Sequence, residues 1–126
     1  PEQRAAIAAK IRERAVAWAC AAADVFEIDR LNILQASRLA MKRAVERLGV
    51  ACDYLLVDAV SIDLPAEQKA LIHGDARCAS IAAASIVAKV ERDACMEAWD
   101  RVFPEYGLAR HKGYYTPEHL DALAEH

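Results

Sequence analysis

Two aspartates stand where a carboxylate is expensive to keep. Asp58 lies inside the apolar run DYLLVDAV, residues 53–60, and Asp75 follows a glycine at the mouth of GDARCASIAAASIVAKVERD, residues 74–93. A carboxylate in apolar surroundings needs a cation, backbone N–H groups or a metal ion to offset lost hydration. At Asp75 the competing role is a helix cap. Capping does not apply inside a strand, so for Asp58 the choice lies between a salt bridge and a ligand. Magnesium and manganese ions favour carboxylate oxygens and keep several waters. A pair of such ions can activate an attacking water and stabilise the leaving oxygen of a phosphodiester. Two carboxylates are too few for a site of that kind.

A second group of candidates is the segment Arg110-His111-Lys112-Gly113-Tyr114-Tyr115-Thr116, which joins cationic donors, a glycine and two adjacent aromatic rings. Phosphate contact with stacking on a sugar or base is its functional role. A solvated loop anchored by its tyrosines is the alternative. Lys89 and Arg92 could project toward the same place or simply snorkel to the surface. Ser85 needs only a neighbouring carbonyl.

Periodicity predicts the elements that carry these residues. From Cys78 to Val90 the strongly polar side chains are Ser80, Ser85 and Lys89. That is too apolar for a surface helix and too short for a membrane span, so a helix buried in a core is expected. Met96, Trp99, Val102 and Phe103 extend its apolar face to a stop at Pro104 and Gly107. Pro1 to Arg14 predicts an amphipathic helix, and Ala15 to Ala23 a strand. Asp24 to Glu27 predicts a loop, after which Asp29 caps a helix from Arg30 to Leu48 with Leu34, Met41, Val45 and Leu48 on one face and Gly49 at its end. Asp53 to Val60 has the pattern of a strand covered on both faces. Ser61 to Glu67 is a loop, and Lys69 to His73 a second strand. Leu108 to Tyr115 is a basic, aromatic loop, and Thr116 with Pro117 opens a last helix to about Glu125.

With 126 residues, 56% hydrophobic and 28% charged, the sequence amounts to one domain, 1–126, able to bury a core. A net charge of -3 provides no global attraction for nucleic acid, so any such contact must use a local basic patch. No signal peptide or transmembrane run is present, and no membrane partner is expected. Cys20, Cys52, Cys78 and Cys95 are widely spaced and are expected to be reduced, mostly buried thiols of a cytoplasmic protein. A first residue other than methionine fits a processed or truncated piece.

The motifs GDARCASIAAASIVAKVERD and YGLARHKGYYTPEHL together resemble the ribonuclease HII family. The likeness runs nearly end to end. PEQRAAIAAKI is similar to the helix after that family's DSK segment, EIDRLNILQASRLAM to its next helix, and YLLVDAV to the strand bearing its third ligand. The resemblance implies a ribonuclease H-like α/β fold, here incomplete and lacking the first strands of its sheet. It also implies cleavage of the RNA strand of RNA/DNA hybrids, and at single ribonucleotides in DNA duplexes, with magnesium or manganese, leaving a 5′-phosphate and a 3′-hydroxyl. Asp58 then matches the acid of the VDG motif and Asp75 that of the GD motif, both catalytic metal ligands. Tyr114 matches the tyrosine of HKGY that packs on the sugar at the RNA–DNA junction. Arg110, His111 and Lys112 would lie beside the scissile backbone as a positive patch.

Two positions depart from the family pattern, Ala59 standing in place of the VDG glycine and His73 where lysine is frequent. The opening strand with its Asp-Glu pair and Gly-Arg-Gly loop would lie upstream of Pro1, as would the DSK segment, and the basic tail that follows the last helix in the family would lie beyond His126. The chain is therefore expected to be a fragment that keeps half of the family's acidic ligands, is inactive by itself, and self-associates where its usual neighbours would sit, although family members are usually monomers. The alternatives are a non-catalytic hybrid-binding or interaction module, another nuclease of the same fold such as ribonuclease HIII, and a helix-rich domain with capped aspartates.

Overall fold

The computed structural model describes residues 2–126. In chain order these form α1 (Glu2–Arg14), α2 (Val25–Leu31), α3 (Ile33–Glu46), β1 (Tyr54–Asp58), β2 (Glu67–Leu71), α4 (Gly74–Arg77), α5 (Ala79–Val102), a 3₁₀ turn (Pro104–Tyr106), α6 (Leu108–His111) and α7 (Pro117–Glu125). They group into two compact units, one ending at Val87 and one spanning Ala88–His126, so α5 contributes its first turns to one and its last turns to the other. No helix among the described residues is long and apolar enough to cross a membrane. Pro1 of the expected first helix lies outside the described residues.

The core of the first unit forms where α3 meets a two-stranded sheet. β1 and β2 are parallel, with Tyr54 opposite Glu67 and Asp58 opposite Leu71. Leu55 and Val57 point inward and cluster with Ile62, against which Met41 and Val45 of α3 pack. Parallel strands usually need a longer crossover than the few residues here. Ile62 makes the short connection work: its N–H and C=O both bond the Gln68 side-chain amide at 2.7 Å, so a buried backbone stays satisfied. The expected strand covered on both faces is corrected. Burial along β1 alternates, leaving Tyr54, Leu56 and Asp58 exposed, because the packed layer lies on one face only. The second strand also starts and ends two residues earlier than its apolar pattern predicted.

Three other expectations fail for identifiable reasons. The predicted strand at Ala15–Ala23 is irregular chain whose carbonyls are bonded by side chains rather than by a neighbouring strand, Ala22 O by Arg43 (3.0 Å) and Cys20 O by Arg47 (3.2 Å). The predicted loop at Asp24–Glu27 opens α2 instead. Asp24 accepts from the Glu27 N–H (2.8 Å) while Glu27 accepts from the Asp24 N–H (2.9 Å), a reciprocal cap that satisfies two otherwise free donors. Asn32, not Asp29, starts the next helix. At φ 78 and ψ 167 it bonds Ile28 O to end α2, and its side chain accepts from Gln35 N (3.0 Å) to begin α3.

The long helix is corrected as well. Only Ile81 and Val87 of α5 are buried, and Trp99, Val102 and the adjoining Phe103 are exposed, because no helical layer wraps it among the described residues. Likewise the cysteines form no disulfide among the described residues, but none is buried. The basic loop after Gly107 contains a single helical turn, α6, before it becomes irregular. Thr116 caps α7 as expected, its Oγ1 accepting from His119 N (3.1 Å).

Candidate functional site

Asp58 ends β1, and its carboxylate bridges to the next element. Its Oδ1 accepts from the Gly74 N–H at 2.8 Å. Gly74 is buried, and a Cβ there would stand 2.7 Å from Ile81 Cδ1 and 3.2 Å from Asp58 Oδ1. Glycine is thus required by close packing rather than by a left-handed backbone. Asp75 is the next residue, in the first turn of α4, so the Asp58 carboxylate is bonded to the peptide leading into the second acid. Asp75 Oδ1 accepts from Ala76 N at 3.0 Å. The cap position belongs to His73, whose side chain makes no capping bond.

Among the described residues no cation pairs with Asp58 or Asp75, and no group of three or more His, Cys, Asp or Glu side chains gathers as a metal cluster. The salt-bridge role for Asp58 is therefore replaced by a backbone N–H bond. Both acids are exposed, and each keeps a second oxygen free of hydrogen bonds within the described chain. Carboxylate oxygens are the donors that hard divalent cations take, and two carboxylates are too few to hold two such ions.

The second unit builds a different feature around Tyr114, which is half-exposed. Lys89 on α5 donates to the Tyr114 hydroxyl and lies 4.2 Å from the ring centroid. Arg92, one turn on, lies 5.7 Å from the same centroid and donates to Lys112 O at 3.3 Å. The Lys89 hydrogen bond, reinforced by the charges of Lys89 and Arg92, holds the Tyr114 hydroxyl below its ordinary pKa. Lys89 also faces Asp93 at 3.7 Å, which leaves the cluster less positive than its cations alone imply.

The expected positive patch is partly neutralised by acids that sequence pattern does not single out. Lys112 Nζ bonds Glu97 at 2.7 Å, and exposed Arg110 pairs with Glu118. His111 is buried, with both ring nitrogens against backbone groups. Tyr115 is exposed. Helical spacing could have flagged Glu97 beside Asp93, and the cap Thr116-Pro117 already placed Glu118 in a first turn. What could not be read is that their carboxylates turn toward Lys112 and Arg110.

Known proteins match this chain throughout. The family model for ribonuclease HII matches residues 1–126. The ribonuclease HII of Solibacter usitatus (strain Ellin6076) is 61% identical over 126 residues, covering 100% of this chain and 55% of that protein. That of Koribacter versatilis (strain Ellin345) is 54% identical over 124 residues, covering 98% and 49%. That of Desulfitobacterium hafniense (strain DSM 10664 / DCB-2) is 55% identical over 118 residues, covering 93% and 45%. The chain spans about half the length of the curated relatives it matches.

Proposed function

The chain belongs to the ribonuclease HII family, and on that basis we propose that it carries part of a ribonuclease H-type endonuclease acting on RNA/DNA hybrids and on single ribonucleotides embedded in DNA. Its helices and small parallel sheet are consistent with part of a ribonuclease H-like α/β fold. The observation that carries the proposal is the Asp58 carboxylate bonded to the Gly74 N–H immediately before Asp75, which ties a strand-end acid to a helix-start acid. In this reading Asp58 and Asp75 are the residues that hold magnesium or manganese, each offering an oxygen that the protein leaves free. When bound, such an ion supplies water activation and charge neutralisation for phosphodiester hydrolysis that leaves a 5′-phosphate and a 3′-hydroxyl.

The remaining roles fall to the second unit. Tyr114 is the ring that meets the sugar at the RNA–DNA junction, with its hydroxyl anchored by Lys89. Arg110 and Lys112 lie near the phosphates, exchanging their glutamate partners for the backbone. A reducing, cytoplasmic setting suits four cysteines that form no disulfide among the described residues. Two acids hold one ion but not two in register, so these 126 residues bind junction duplex without cleaving it.

The test is a duplex with one embedded ribonucleotide, offered to the chain with manganese or magnesium. Binding that Tyr114→Ala weakens, without turnover, supports the proposal. Robust metal-dependent cleavage by the chain alone overturns the inactivity, and duplex binding indifferent to Tyr114 overturns the role of the loop. Manganese affinity unchanged by Asp58→Asn and Asp75→Asn would remove the acids from the site.

A further inference from the structure

The turn that presents Tyr114 is built on a buried imidazole. His111 is 7% exposed, the one buried polar side chain among the described residues. Gly113 N–H donates to its Nδ1 at 3.0 Å, and its Nε2 lies 2.6 Å from Tyr106 O. A backbone N–H can only donate and a carbonyl can only accept, so Nδ1 is unprotonated and Nε2 carries the hydrogen. A ring committed on both sides has no nitrogen left for a phosphate.

The same residue organises the next turn of the chain. The backbone passes through left-handed conformations at Lys112 (φ 56) and Gly113 (φ 80), and Tyr114 N–H then donates to His111 O at 3.0 Å. His119 of α7 stacks on His111, with ring centroids 4.3 Å apart and planes 16° from parallel. Its Nδ1 lies 3.1 Å from Tyr114 O and must be the donor there. Both backbone polar groups of Tyr114 are thereby held by the histidine pair. The tyrosine's ring is left to face Lys89 and Arg92.

We propose that His111, with His119 stacked on it, is a positioning residue that fixes Tyr114 against Lys89 and does not itself contact nucleic acid. The consequence for substrate rests on the proposed role of Tyr114. The positioning itself stands on contacts within one unit.

The experiment uses the whole chain and two variants that keep an amide at the position. His111→Asn retains an acceptor near Nδ1 for Gly113, whereas His111→Gln reaches toward Tyr106 and gives that acceptor up. Ionisation of Tyr114, followed by NMR of its labelled Cζ, reports the Lys89 contact without any nucleic acid. Positioning by His111 leaves the low ionisation in wild type and His111→Asn, and moves it toward the ordinary tyrosine value of 10.0 in His111→Gln. Identical titrations in all three proteins overturn the proposal, as does an imidazole spectrum of the wild type showing a protonated Nδ1.

Duplex binding separates this inference from the proposed function. A positioning role lowers affinity severalfold in His111→Gln with the salt dependence unchanged. A phosphate contact would instead reduce the slope of log K against log salt by about one, and would overturn the inference. If the wild type binds no duplex, the proposed duplex binding by this chain fails while the Tyr114 titration still decides the role of His111.

Discussion

At Ala59 the backbone takes φ 64 while its N–H bonds Leu71 O at 2.9 Å, continuing the ladder just past Asp58. An L-residue with a Cβ is strained there, and glycine is not. Ala59→Gly is therefore expected to stabilise the protein by about 0.5–1 kcal/mol, the relief of strain outweighing the added freedom of the unfolded chain. Thermal denaturation checks this, and a lower midpoint would contradict it. Glu27 offers a prediction with a pH sign. Its hydrogen bonds from Arg43, at 2.5 and 2.8 Å, and from Asp24 N–H lower its pKa from 4.5 to about 2. A depressed carboxylate contributes stability above its unfolded value and loses it as protons return. The contribution is whole above pH 4.5 and fades as pH falls toward about 2. Glu27→Gln should flatten the acid side of the stability profile in that window, measured by urea midpoints at successive pH values, and an unchanged slope would exclude the pair as its cause. Asp58 draws attention in the sequence because it sits in an apolar run, whereas Asp75 has the local pattern of a helix cap and is marked as a ligand candidate only by the family resemblance. The glutamates facing Arg110 and Lys112, and the burial of His111, are not legible there, because those partners depend on how α5, α6 and α7 fold back on one another.

Elements were legible where local chemistry decides them. α1, α7 and the strand nature of Tyr54–Asp58 follow from periodicity and caps. The conformation of Ala15–Ala23 is not legible in the sequence, because its alanines suit strand and helix alike and its path is set by Arg43 and Arg47 reaching across from the end of α3. α2 was missed although Asp24-x-x-Glu27 is a readable reciprocal cap, and the break at Asn32 was readable too, as a side chain able to end one helix and begin the next. The junction of β2, α4 and α5 depends instead on a contact that no local pattern shows. Gly74 must admit Ile81 and the Asp58 carboxylate within the space of one methyl group. Gly74→Ala is expected to destabilise the protein by about 1–3 kcal/mol through overpacking. It should also displace Asp58 from the Gly74 N–H. Chemical denaturation measures the first effect and manganese titration the second. Retained stability with retained affinity would show that Ile81 yields without cost and that the acids do not depend on this packing.

For the whole molecule the question is what the exposed apolar surface does in solution. β1 presents Tyr54 and Leu56 on the face opposite its core, and among the described residues the sheet has two strands, so each has an edge with no strand beside it. Edges and apolar faces of this kind favour association unless charge or cover blunts them. A net charge of -3 lies at the low end of the range that keeps small domains apart. The chain is therefore expected to self-associate with rising concentration, and sedimentation velocity is the direct measurement. The register identifies a substitution that tests the cause without breaking the fold. Leu56 pairs with Lys69, so Leu56→Glu replaces an exposed leucine with a carboxylate beside a cation on the neighbouring strand, a change the sheet is expected to tolerate. The variant should keep its helix and strand signal by circular dichroism while the larger species recede. Association unchanged in a folded variant would move its origin off this face of the sheet, and a wild type that stays monomeric at high concentration would show that the open strands do not drive pairing.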